Sequence, residues 1–119
     1  MNTSQITSSN LAQFSGSENL YFNPMYRSIR YTDGVQWLGK NGAGWLQDVC
    51  LSHLAYHKKV RHEEFVCITL KVKDKSAVVT FTDGDKGKLA SQRIEYTDFP
   101  LDEVKFFYTN GILMLASEY

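Results

Sequence analysis

Three stretches of the chain carry side chains whose types and spacing could do chemistry. Cys50, His53 and His57 succeed one another at helical spacing, and residues three or four apart share a helix face. A thiolate and two imidazoles are good zinc ligands, and His62 comes soon enough after them to be a fourth. No CxxC or HxxEH spacing accompanies them, so the competing expectation is a buried, inert Cys50 beside a core-facing His53. On that reading no metal or other cofactor is expected. Cys50 or Cys67 with His53 as base would make a nucleophile–base pair, but nothing in the sequence supplies an oxyanion hole. No catalytic residue is therefore assigned. The second stretch, Lys58-Lys59-Val60-Arg61-His62, is basic. With Lys71 and Lys73 on one strand face it would suit a phosphate backbone, making Lys58, Lys59 and Arg61 the nucleic-acid candidates. The competing expectation is a sheet edge guarded by lysine. The third stretch is the C-terminal hairpin. Strand alternation there sets Phe107, Ile112 and Met114 apart from the core-facing residues, on a face too apolar to leave bare. A homodimer or another protein partner is the interface expected there.

The elements that must position these groups can be read from hydrophobic periodicity. Asn10 is expected to cap a short helix through Phe14, after Ser/Thr/Asn-rich residues 1–9 that read as a frayed tail. Gly16 and Ser17 punctuate the chain after that helix. Residues 19–31 read as irregular or extended. Asp33 caps a helix over 34–40, Gly42 and Gly44 break it, and a second helix runs over 43–57, apolar nearly all round and so mostly buried. Asp48 and His53 on that helix are expected to pair with neighbouring backbone. Tyr31-Thr32-Asp33-Gly34 is echoed by Tyr96-Thr97-Asp98, and both read as turns capped by an aspartate.

From Glu64 the period changes to two. Strands are expected over 64–73, 77–82, 88–96, 103–109 and 112–117, with Ala90, Ile94 and Tyr96 inward on the third. Asp74-Lys75-Ser76 and Asp83–Gly87 are turns, and both glycines of the latter are free to take positive φ. Asn110-Gly111 is a strong two-residue hairpin signal that pairs Thr109 with Ile112, Tyr108 with Leu113 and Phe106 with Leu115. One face then carries Val104, Phe106, Tyr108, Leu113 and Leu115 as core. The expected fold class is α+β: N-terminal helices packed on an antiparallel β-meander of about five strands, within a single domain spanning 1–119.

Composition narrows the function. The chain has 119 residues, 43% hydrophobic and 22% charged, with Lys plus Arg 13 and Asp plus Glu 13. That is a globular composition, without the global positive field of a typical nucleic-acid binder. No apolar run approaches the ~20 residues of a membrane helix. Gly39, Gly42 and Gly44 fit neither GxGxxG nor the P-loop. The N-terminus lacks a basic region leading into an apolar one, and two cysteines make no disulfide framework; a cytoplasmic location with reduced thiols is expected.

Leu11-Ala12-Gln13-Phe14 with Gly16, Tyr31-Thr32-Asp33-Gly34-Val35, Trp45-Leu46 with Asp48 and His53, Tyr96-Thr97-Asp98-Phe99-Pro100-Leu101-Asp102 and Ser117-Glu118-Tyr119 occur in that order. Together they resemble a small bacterial domain family of unknown function, met in cyanobacteria and other bacteria and often on mobile elements. The resemblance covers Leu11 to Tyr119. It implies a single-domain architecture and a mobile-element context, and it supplies no catalytic residues. The functional expectation is a non-enzymatic binding module acting by protein–protein contact, with a nucleic-acid-binding accessory protein and a metal-dependent enzyme as alternatives.

Overall fold

The computed structural model describes residues 5–16, 18–85 and 87–119. Its first element, α1 (Ser8–Ala12), is capped by Thr7, whose hydroxyl accepts from the Asn10 N–H. The cap therefore lies three residues before the expected one. Ile6 is fully buried in the core, so the tail expected at 1–9 is anchored at that point; residues 1–4, like Ser17, lie outside the described residues.

After a 3-10 turn at Pro24–Tyr26, the two-residue strand β1 (Arg30–Tyr31) leads into α2 (Asp33–Leu38). Thr32 is the N-cap, and Asp33 is the first helical residue rather than the cap. The glycines kink the helix rather than ending it. A π-helical segment, Gly39–Ala43, bends at Asn41 and at Gly42, whose φ of 96° suits only glycine, and α3 (Gly44–Tyr56) continues from it. Asn41 Nδ2 donates to the Trp37 carbonyl freed at the bend, and Gln47 Nε2 donates to that of Val35. Only Leu46, Cys50, Leu51 and Leu54 of α3 are buried. Asp48 and Tyr56 are exposed, so the helix has one buried face and is not enclosed all round.

Among the described residues the sheet has six strands, not five: β1, β2 (Phe65–Lys73), β3 (Ser76–Thr82), β4 (Lys88–Ile94), β5 (Glu103–Thr109) and β6 (Ile112–Leu115). Their spatial order is β1-β6-β5-β2-β3-β4. A simple meander is thereby corrected: β2, β3 and β4 lie side by side in sequence order, but β5 crosses to the other side of β2 and takes β6 with it. The Asp102 carbonyl accepts from the Val72 N–H at 2.8 Å and the Lys75 carbonyl from the Thr97 N–H at 2.8 Å, fastening the crossing segment under the β2–β3 turn. The sheet is mostly antiparallel, but β1 pairs parallel with β6. Since β1 precedes α2, the helices do not simply come before the sheet. Two residues carry too little periodicity to announce a strand.

The hairpin register Thr109–Ile112, Tyr108–Leu113 and Phe106–Leu115 is observed as read from Asn110-Gly111, with both turn residues at positive φ. Asp74 and Lys75 make a second turn of this kind. Of the two glycines in the β3–β4 turn, Gly84 takes positive φ, while Gly87 sits so close to Asp83 that a Cβ there would meet its carboxylate. β4 ends at Ile94, leaving Tyr96 outside the sheet and 69% exposed rather than inward. The chain from 116 turns into a 3-10 segment instead of extending β6.

One sheet face, with Val66, Ile68, Leu70, Val79, Phe81, Phe106, Leu113 and Leu115, packs on Val35, Leu38, Leu46, Cys50, Leu51 and Leu54 in one continuous core. The helical run supplies one layer and is used up on that face. Alternation then sends the odd-numbered residues of β2 and β5 to the other face.

Candidate functional site

The uncovered face is built around the two inner strands, β2 and β5. Cys67 pairs with Phe107, Phe65 with Thr109, Thr69 with Lys105 and Lys71 with Glu103. Residues directly opposite on adjacent strands share a face. Phe107 and Phe65 stand 5.7 Å apart, and the C-terminal Tyr119 closes a three-ring cluster at 4.7 Å from Phe107 and 6.0 Å from Phe65. Gly84 fits under Phe65 because a Cβ there would meet the ring edge. Tyr119 is 69% exposed. Ile112 and Met114 flank the rings on β6, half-buried.

Among the strand residues the charge on this face is one-sided, while carboxylates gather in the loops at its two ends. Arg30 lies opposite Ile112, Arg93 opposite Val78 and Lys88 opposite Thr82. With Lys71, Lys73 and Lys105 on β2 and β5 they make six strand cations among the described residues, against the single strand acid Glu103, which lies 4.0 Å from Lys71. The expected guard role for Lys71 and Lys73 does not fit their place, because β2 lies between β5 and β3 and has no free edge. At one end of the face a groove of about 570 Å³ is lined by Arg61, His62, Glu63, Glu64, Phe65, Tyr108 and the β5–β6 turn. At the other end a groove of about 890 Å³ runs between Lys71, Lys73 and Lys75 and the carboxylates of Asp74, Asp98, Asp102 and Glu103.

The other candidates fall elsewhere. Arg61 reaches the aromatic end of the face, whereas Lys58 and Lys59 are exposed in the turn after α3 and do not line its groove. Cys50 is fully buried among apolar side chains, and that burial pushes its thiol far above the ordinary 9.0. His53 donates from Nδ1 to the Val49 carbonyl, and its ring stacks on Phe81 at 4.4 Å and on His57 at 5.5 Å. His57 Nδ1 accepts from the Lys59 N–H. Among the described residues no group of three His, Cys, Asp or Glu side chains is placed to hold a metal ion. Cys67 is on the uncovered face while His53 lies against Phe81 on the covered one, so the two cannot form a nucleophile–base pair. Both cysteines are free.

Asp48 accepts from the Tyr26 hydroxyl at 2.7 Å, which raises that phenol above its ordinary range. The bond clips the Pro24–Tyr26 turn to α3, and Tyr56 adds a second clip through the Met25 carbonyl. The two Tyr-Thr-Asp segments supply two buried polar residues, Thr32 and Thr97. A further concavity of about 510 Å³ lies between α3 and the β4 edge, lined by Trp45, Asp48, Tyr96 and Asp98.

Sequence reading found Phe107, Ile112 and Met114 but missed Phe65, Tyr119, Arg93 and Lys105. Phe65 shares strand parity with Lys71 and Lys73, and that signal was present in the sequence. Tyr119 reaches the cluster only through the 3-10 turn of the last residues.

The result is a small α+β protein with a helical layer on one side of a mixed sheet and a bare, aromatic, cation-rich surface on the other. The chain belongs to the family of unknown function DUF6876, whose model matches residues 5–119. No curated protein and no solved structure matches it.

Proposed function

We propose that this chain is a non-catalytic binding module whose partner docks on the uncovered sheet face. The observation that carries this reading is the Phe65–Phe107–Tyr119 cluster, three rings within 6.0 Å of a neighbour on a face that no other helix or strand covers among the described residues. Clustered aromatic area at a surface is characteristic of recognition sites. The homodimer expected through Phe107, Ile112 and Met114 would use this same face.

The two thiols provide a built-in test. Cys67 stands on the face opposite Phe107, and Cys50 is sealed in the core. Thiol labelling of the folded protein is expected to be slowed at Cys67 by extract of the native cells, with Cys50 silent throughout. A Cys67 rate unchanged at every extract concentration refutes docking on this face. Slowing by the protein's own concentration, with a matching dimer in sedimentation, identifies a second copy as the occupant.

A further inference from the structure

We infer that the occupant of the uncovered face is single-stranded nucleic acid, its bases stacked on the Phe65–Phe107–Tyr119 cluster and its phosphates on the flanking cations. This rests on the reading of that face as the binding surface and names the partner. Charge decides between occupants. Among the described residues the strands of the face hold six cations against Glu103; the other carboxylates near it, Glu63, Glu64, Asp74, Asp98 and Asp102, lie in the loops at its two ends. A second copy seated face to face about a two-fold axis would set these strand cations against one another at the centre of the contact, and like charges in apposition oppose docking. A polyanion removes that penalty and gains from counterion release.

The rings decide between nucleic-acid forms. Aromatic side chains on an open sheet take up two or three unstacked bases by their faces, and every base has one. A duplex keeps its base faces inside the stack and is read by elements that enter a groove, which a sheet face does not do. The placement along the strand suits a linear ligand. Phe65, Cys67, Thr69, Lys71 and Lys73 succeed one another on the exposed side of β2, a track of roughly 27 Å at ~3.4 Å per residue. Arg61 stands at its aromatic end.

Fluorescence anisotropy with labelled mixed-sequence DNA and RNA oligonucleotides, single-stranded and duplex, tests this between about 50 and 200 mM salt. Binding of single strands in preference to duplex is expected, weakening as salt rises. Tyr119→Ala, at an exposed terminal residue, is expected to cost about tenfold in affinity at constant salt dependence. Lys105→Ala is expected to take about 0.7 off the salt slope, while Lys40→Ala on the helical layer, the same charge change, leaves the slope intact. Absence of single-strand binding at the lowest salt overturns the proposal, as does a duplex bound equally well or a Lys40→Ala loss equal to that of Lys105→Ala. Nuclease treatment separates this inference from the reading beneath it. Cys67 protection that survives nuclease leaves the face as a docking surface and removes nucleic acid as its occupant.

Discussion

A single methyl group at Gly34 should loosen the whole C-terminus. The Glu118 carboxylate accepts from the Thr32 hydroxyl at 2.7 Å, from the Gly34 N–H at 3.2 Å and from the Leu115 N–H at 3.0 Å. It caps α2 from 84 residues away and ties the end of β6 to the start of the helix. A Cβ on Gly34 would stand 2.5 Å from Glu118 Oε1 and 2.5 Å from Leu115 Cδ1, so it displaces the carboxylate. Two effects oppose each other in Gly34→Ala. Alanine in a helix is favoured over glycine by roughly 0.5–1 kcal/mol. Hydrogen bonds to a charged group contribute about 1.5–3 kcal/mol each; for a half-buried carboxylate, losing most of three bonds costs roughly 2–4 kcal/mol on that scale. The clamp wins. The net destabilisation is about 1–3 kcal/mol, a fall in melting temperature on the order of 10 °C. Urea unfolding monitored by tryptophan fluorescence measures it. In a Glu118→Ala background the methyl meets no carboxylate and only its contact with Leu115 Cδ1 remains, so the clamp part of the cost should vanish, giving a coupling of about 2–4 kcal/mol in the double-mutant cycle. Equal costs in both backgrounds, or a stabilised single variant, would refute the clamp.

Three other outcomes are expected. The Cys50 thiol and the Tyr26 phenol are both held above their ordinary values of 9.0 and 10.0. Above those values the native state binds more protons than the unfolded chain, so stability is full below about pH 9 and falls as pH rises through the raised values, with a limiting slope of about 1.4 kcal/mol per unit for the fully buried Cys50 thiol. Cys50→Ala should flatten the first part of that fall and Tyr26→Phe the part above pH 10, read by unfolding at a series of pH values; unchanged slopes would contradict the assignment. Lys75, at φ 63° in the β2–β3 turn, is strained for a side-chain residue, and Lys75→Gly should stabilise by roughly 0.5–1 kcal/mol in chemical denaturation. At Gly39 a Cβ would lie 2.6 Å from Gln47 Nε2 and push it off the Val35 carbonyl; Gly39→Ala should cost about 1 kcal/mol, and Gln47→Ala should abolish that cost.

The legible part of this fold was local, and the illegible part was a matter of partners distant in the chain. Alternation named the buried set of β2, and the Asn110-Gly111 dipeptide set the β5–β6 register. The position of β5 beside β2 rather than β4 could not be read, because strand order depends on where the 97–102 segment crosses, and nothing periodic marks that crossing. β1 was invisible for a similar reason: Arg30 and Tyr31 become a strand only because Gly111 and Leu113 offer their carbonyls to Arg30 and Thr32. The all-round apolar reading of α3 failed at Trp45, Val49 and Tyr56, whose rings and methyls lie over loops and a sheet margin rather than inside the core. For the candidate site, Phe107, Ile112 and Met114 were legible from parity. The ring cluster was not, since Tyr119 is brought to Phe107 by a turn whose shape is set by Glu118.

The neutral composition and the cationic face have one physical origin. Carboxylates accept hydrogen bonds, and this fold uses several of them as internal acceptors. Asp33 takes the Tyr21 hydroxyl, Asp48 that of Tyr26, Asp83 the N–H groups of Asp85 and Gly87, and Glu118 the end of α2. Each sits at a turn or a helix rather than on a strand. Six of the thirteen lysines and arginines stand on strands instead, where long stems can lie on the sheet while the charged ends reach water. A field that sums to zero far from the molecule is therefore divided close to it, and at 0.15 M salt charges are screened beyond about 8 Å. A ligand at the middle of β2 and β5 meets the strand cations rather than the balanced total, and the loop carboxylates only at the two ends. For this reason the salt slope of Lys105→Ala against Lys40→Ala is a sharper measure of the face than any property of the whole chain.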